Sequence, residues 1–439
     1  MNKSKLYRFS ENVFWILANR FFRVLIGVLT FSIIARYLGV DRFGELNYVI
    51  SLAAIFGAIA TLGLEGIVIR ELVENRSDAG KILTTAFCMR CAGGALAMLL
   101  SVASALLLED GKQTAFLVLI VSLSFFPNAF DVIELWYQKS IQAKILAKNR
   151  AITSILSSAL KISLVCVNAP IEAFALMQLV ESIICAIGLS FIYYTDGKQL
   201  FHAKPSFAIA KRLLFQSWPL MVSGVVLALF FRCEQLVIKS TLGDNGLGLY
   251  YASVRIMELW GFLPFAVLST IYPMVIRMKT NEPEAYENFC QLLYDILTWL
   301  GVSVALLATI AAPIVVPFIY GPSYVATIPV LIIHAWTAPV TFSASVRAQI
   351  MLVESANIFH LVIAIIGILI TIPLAFLLTR QFGVSGAALT LFASFYCTGF
   401  LSSFLFRRLR ASGYQQLKAI FAPFRLPMIY RQILVICKS

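Results

Sequence analysis

Charge is scarce in this chain. Asp, Glu, Lys and Arg make up only 13% of 439 residues, while 60% are hydrophobic. A soluble domain of this size needs a far more polar surface, so that low charge excludes a soluble globular protein and implies an integral membrane one. Histidine is rarer still: His202, His334 and His360 lie far apart in sequence. Of eight cysteines only Cys88 and Cys91 stand in a CxxC pattern, with no second pair or His pair to complete a zinc set. No metal or cofactor is expected, and helix packing accounts for the thiols. Long polar segments are missing as well, the longest connection running over about 196–211, which leaves no room for a soluble catalytic domain.

What is present is apolar length. Runs of about 20 residues, enough to cross a bilayer, begin near Val13, Glu45, Leu83, Ala115, Ala151, Glu172, Leu213, Leu247, Gln291, Val325, Ala356 and Val384. That predicts an all-α protein of about twelve transmembrane helices. The first run follows Lys3, Lys5 and Arg8 but is too long for a signal h-region and has no A-x-A site, so it is expected to stay in the mature protein.

The cations between runs are distributed unevenly. With the N-terminus cytoplasmic, 24 Lys and Arg fall in inner segments, Arg347 among them, and only Arg36, Arg42, Lys112, Lys239 and Arg380 in outer ones. The positive-inside rule then places both termini in the cytoplasm. It also accounts for most of the net charge of +13, and no nucleic-acid partner is implied. The tail from Arg407 mixes basic and apolar residues and is broken by Pro423 and Pro427, as in segments that lie against anionic membrane lipids.

Two echoes suggest an internal repeat. LGVDRFG (38–44) and LGDNGLG (242–248) both place a second glycine five residues after LG, and APIEAFAL from Ala169 resembles FGVSGAAL from Phe382. The offsets of 204 and 213 fit two halves of like orientation, a parallel repeat of the transporter kind. The expected organisation is a six-helix lobe over 1–206, a second over 207–406 and a basic tail over 407–439.

Six cations remain inside the runs: Arg20, Arg23, Arg90, Lys161, Arg232 and Arg255. At 1.5 Å per residue all but Arg232 lie roughly 10 to 15 Å deep, against only Glu181 and Glu258 among the acids. Asp131 and Glu134 approach the cytoplasmic end, and Glu234 the outer end. Each buried charge costs about 2.5 to 3.5 kcal/mol on insertion scales unless it faces protein or water. Arg20 and Arg23 are three apart, hence on one helix face, where both can point into a wet cavity. Arg20, Arg23, Arg90, Lys161 and Arg255 are therefore candidate anion-binding residues, since guanidinium groups suit phosphate oxygens. Ion pairing is the competing explanation: Arg255 with Glu258, and Lys161 with Glu181. If transport is coupled to an ion, Glu181 is the best-placed carboxylate, followed by Glu258 and Asp131. Pro127, Pro219, Pro264, Pro313, Pro317, Pro339 and Pro373 interrupt runs and are candidate kinks.

ARYLGVDRFGELNYVIS, PIVVPFIYGPSYVATIPVLIIHAW and FGVSGAALT resemble the polysaccharide transporter family, the Wzx-type O-antigen flippases, within the superfamily that also holds MATE exporters and the lipid II flippase MurJ. The resemblance covers essentially the whole chain. It implies a V-shaped, two-lobed bundle with a cationic central cavity that moves undecaprenyl-pyrophosphate-linked oligosaccharide to the periplasmic leaflet of the bacterial inner membrane. The polysaccharide polymerase and chain-length regulator are its candidate protein partners. The alternatives are a MATE-like cation antiporter, for which the cavity has the wrong sign, and MurJ-like lipid II flipping, whose members usually carry fourteen spans. A membrane-embedded polysaccharide polymerase would need a large periplasmic loop. No enzyme activity is expected.

Overall fold

The computed structural model describes residues 3–74, 78–108, 111–140, 142–197, 203–281, 283–354 and 358–425; within these, the side chains of 3–21, 23, 143, 270, 273, 280, 281, 283, 284 and 424 lie outside the description. His202 and Cys437 also fall outside it. The described chain is helical, with no strand among the described residues.

Eight stretches are long and apolar enough to cross a membrane. Three of these, 24–74, 207–269 and 358–405, break and turn at a left-handed glycine with a membrane-length helix on either side, at Gly39, Gly243 and Gly383; Gly63 also has a positive φ but is followed only by the ten-residue Glu65–Glu74, too short to cross. Cutting there gives eleven passes. Helix Ala143–Cys166, whose lysines and arginine lower its hydropathy, is 24 residues long and makes the twelfth among the described residues. The chain is a multi-pass membrane protein.

Contacts divide it into two units, Met1–Lys239 and Ser240–Ser439. The first holds α1 (Lys3–Thr61), α2 (Glu65–Glu74), α3 (Ala79–Leu108), α4 (Lys112–Ser122), α5 (Phe125–Asn128), α6 (Val132–Lys139), α7 (Ala143–Cys166), α8 (Ile171–Thr195) and most of α9 (Phe207–Glu258). A boundary at 206/207 therefore differs from the observed division, which falls inside α9. The reason is local: Arg212 Nη2 donates to Glu71 Oε2 at 2.8 Å, Arg70 Nη2 to Gln216 Oε1 at 2.5 Å, and Arg232 Nη1 to Ser51 Oγ at 3.2 Å. These bonds tie 207–239 to α1 and α2.

The second unit continues through α10 (Phe262–Asn281), α11 (Pro283–Tyr320), α12 (Thr327–Ala335), α13 (Ala338–Val353), α14 (Ile358–Tyr396), α15 (Ser402–Leu405) and α16 (Arg410–Ile420). A π-helical turn over Cys397–Leu401 joins α14 to α15. The tail does not end in isolation: Trp299 Nε1 on α11 donates to Ala419 O at 3.0 Å, and Gln291 Nε2 to Gln415 O at 3.0 Å.

Each unit has an apolar core, and its outer surface is apolar as well. Ile310, Ile314 and Phe318 of α11 are 74%, 73% and 79% exposed. They recur every four residues and form one lipid-facing stripe. Asn47, Ser51, Thr390 and Ser394 are buried instead. Asn47 Nδ2, Ser51 Oγ and Thr390 Oγ1 donate to backbone carbonyls one turn back, as Ser51 does to Asn47 O at 2.7 Å, and the Ser394 hydroxyl meets that of Thr371 at 2.5 Å, which pairs these donors without water. Small residues let helices meet closely: a Cβ on Gly301 of α11 would stand 2.7 Å from Pro339 Cα of α13.

The first echo in the sequence corresponds to one backbone geometry. Gly39 has φ 73°, ψ 174° and Gly243 has φ 70°, ψ −164°, a conformation that only glycine adopts without strain. The second echo is looser. Pro170 is extended before α8, whereas its counterpart Gly383 has φ 58° inside α14.

Candidate functional site

In the first unit the charged residues form two groups. Pro127 has no N–H to give to Leu123 O, so the pass breaks between α4 and α5, and α5 runs for one turn before a 3₁₀ turn over Ala129–Asp131. This turn carries Asp131 to the wall of a cavity of about 270 Å³ that also receives Glu65, Arg90, Phe125, Asn128 and Gln178. Arg90, on α3, is 4% exposed and lies 3.8 Å from Glu65 Oε1. Its Nε and Nη2 have no hydrogen-bond partner. A buried guanidinium with two idle donors costs free energy, which the nearby Glu65 carboxylate offsets in part.

Beside this cavity α7 is tied to its neighbours by ion pairs. Arg150 Nε donates to Glu134 Oε1 at 2.9 Å and Nη2 to the second carboxylate oxygen. Lys161 Nζ donates to Glu181 Oε2 at 2.6 Å. Asp131, Glu134 and Cys185 bring possible ligand atoms within 4.8 Å of one another. Both Glu134 oxygens are already committed to Arg150, which leaves a cation only Asp131 and a thiol.

In the second unit Arg255 Nη1 donates to Glu258 Oε2 at 2.6 Å across one helical turn. Both ion pairs weighed in the sequence are thus formed. Arg347 corrects the loop count: it is no inner-loop residue but a 5% exposed side chain within α13. Its Nη1 donates to Ser402 and Ser403 hydroxyls at 2.9 and 2.6 Å, and its Nη2 to Thr398 O at 2.7 Å beside the π-helical turn. Ser403 in turn donates to Gln416 Oε1 at 2.9 Å, drawing α16 into the same network. Asp295, also buried, accepts from Gln291 at 2.8 Å and from Arg425 at 2.9 Å. His334 Nδ1 lies 2.6 Å from Ser253 Oγ, while its buried Nε2 has no hydrogen-bond partner.

Of the predicted substrate residues, Arg90 lines the first-unit cavity together with Asp131, one of the predicted coupling carboxylates. Lys161 with Glu181 and Arg255 with Glu258 are paired. The side chains of Arg20 and Arg23 lie outside the described residues. Glu65, Asn128 and Gln178 were not singled out by the sequence, because a carboxylate at a helix start and neutral amides carry no depth or charge signal.

The chain belongs to the family described as polysaccharide biosynthesis protein, which matches residues 33–329. It is 21% identical over 294 residues to a Shigella flexneri protein named "Putative O-antigen transporter", covering 61% of this chain and 67% of that one. Among solved structures it is similar to the lipid II flippase MurJ in an inward closed conformation, with a TM-score of 0.70 at 15% identity over 96% of both chains. It is also similar to a multidrug resistance MATE family transporter of the MOP superfamily, facing inward, with a TM-score of 0.68 at 13% identity over 93% of this chain and 96% of that one. These structural likenesses establish the fold.

Proposed function

We propose that this member of the polysaccharide biosynthesis family moves an undecaprenyl-pyrophosphate-linked oligosaccharide from the inner to the outer leaflet of the bacterial cytoplasmic membrane. It does so by alternating access, with both termini in the cytoplasm and without covalent chemistry. The observation that carries this reading is the family match over residues 33–329 in a chain whose membrane passes hold cations at Arg20, Arg23, Arg90, Lys161 and Arg255. A lipid-linked sugar supplies both a pyrophosphate that such cations attract and hydroxyls for a guanidinium that, like Arg90, stands beside carboxylates. Glu181 and Glu258 give Lys161 and Arg255 resting partners that a phosphate would displace. Glu181, Glu258 and Asp131 are the carboxylates through which an ion gradient would act. The product would pass to a polysaccharide polymerase with its chain-length regulator.

Complementation of a flippase-null strain of the source pathway tests this. Restored surface polysaccharide with the wild-type chain is expected, with loss in Arg20→Ala and Arg23→Ala at normal membrane abundance and partial activity in Arg20→Lys. Failure of the wild-type chain to restore polymer, combined with rescue of a strain lacking its lipid II flippase, would transfer the reading to lipid II.

A further inference from the structure

The cavity around Arg90 has a lining that suits neither a bare phosphate nor an organic cation. Arg90 is its one guanidinium among the described lining residues, and Glu65 and Asp131 face the same space. One positive charge against two carboxylates repels an anion rather than gathering it. An organic cation would meet the guanidinium of Arg90 at close range and leave the amides of Asn128 and Gln178 without hydroxyl partners.

A neutral polyhydroxylated ring satisfies both kinds of group. Each hydroxyl both donates and accepts. A guanidinium donates to ring oxygens, while carboxylates accept the hydroxyl protons. Asn128 and Gln178 add amides that can do either, and Phe125 adds an apolar surface for the C–H face of a sugar. The volume, about 270 Å³, is at the lower edge of small-molecule pockets, about 300 Å³, so one ring fits and a whole repeat unit does not. Gly57 keeps this space open: a Cβ there would meet Phe125 Cε1 at 3.5 Å, and anything longer would extend into the void.

Resting on the transport reading above, we infer that the first-unit cavity is a sugar subsite. It takes one neutral pyranose of the carried oligosaccharide in hydrogen bonds with Arg90, Glu65, Asp131, Asn128 and Gln178. Arg90 thus reads the sugar and leaves the pyrophosphate to other cations.

The test uses the full chain in lipid nanodiscs and saturation-transfer NMR with free glucose, galactose, rhamnose and N-acetylglucosamine at millimolar concentration. Saturation transfer to the ring protons of at least one sugar is expected. Asn128→Ala and Gln178→Ala, which leave every buried charge in place, should each weaken its binding by about tenfold, the loss expected for one or two hydrogen bonds. Gly57→Leu, checked for an unchanged melting temperature, should abolish it. Absence of transfer from all four sugars to the wild-type chain overturns the subsite. Undiminished transfer in Asn128→Ala and Gln178→Ala also overturns it, whether or not Gly57→Leu folds. Asp131→Asn that stops polymer export while binding sugar as tightly as wild type would assign the cavity to ion coupling and overturn it as well. Export in the complementation assay is scored separately. Intact export without sugar binding removes the subsite alone, and absent export in the wild type removes the transport reading.

Discussion

Lys161 Nζ and Glu181 Oε2 meet at 2.6 Å between α7 and α8, with the two side chains 15% and 35% exposed. Each is the other's neutralising partner inside the membrane. Lys161→Met or Glu181→Gln alone should therefore lower stability by about 1–3 kcal/mol, between the limits for exposed and buried pairs. The double variant should recover most of the loss. Thermal melting in detergent checks this; equal melting of single and double variants would show that the pair contributes nothing.

Arg425 supplies a charged donor to the buried carboxylate of Asp295, the remaining donor being Gln291. Arg425→Ala should cost about 1–3 kcal/mol by stranding that carboxylate. Asp295→Asn in the same background should restore stability. Proteolysis of the tail offers a second readout, since it should become easier in Arg425→Ala and return towards wild type in the pair.

Gly39 and Gly243 share one left-handed backbone geometry, and a Cβ at either would meet nothing within 4 Å. Alanine at each should cost a similar amount, about 1–3 kcal/mol, from backbone strain alone. Gly27 is an apt control: its Cβ also meets nothing, but its φ is helical. Alanine there should be neutral or slightly stabilising. A melting temperature that falls equally in all three variants would refute the argument from φ.

Gly301→Ala acts by sterics instead. Its Cβ would lie 2.7 Å from both Pro339 N and Pro339 Cα, backbone atoms that cannot swing aside. The α11–α13 crossing must open, and the loss should exceed that of Gly39→Ala. Membrane abundance and melting temperature of the two variants decide the order.

The twelve passes were legible because bilayer thickness imposes a length on apolar runs, and the Leu38–Gly44 echo was legible because its break needs glycine. Depth along a run also found the two ion pairs, since Arg255 and Glu258 sit one turn apart and Lys161 and Glu181 are deep residues on consecutive passes. Arg347 was misplaced because hydropathy ends a run at the first polar cluster. Its partners, Thr398, Ser402 and Ser403, are hydroxyl or carbonyl groups from another helix, and nothing in the local pattern announces them. Glu65 escaped for the opposite reason: it sits at a helix start after Gly63 and Leu64, where a carboxylate is unremarkable, and only the fold turns it towards Arg90. The division inside α9 was equally hidden, because the bonds of Arg212, Gln216 and Arg232 to α1 and α2 depend on which helices become neighbours.

The docking of α16 on α11 sets an order of events during synthesis. Asp295 is made 130 residues before Arg425, and ribosomes add about 5–20 residues per second. The carboxylate therefore waits on the order of ten seconds for its guanidinium, and this contact of the second unit forms only after Arg425 has been made. A stop between Leu405 and Arg425 would leave every described pass inserted and Asp295 still without its guanidinium, a product for quality-control proteases to remove.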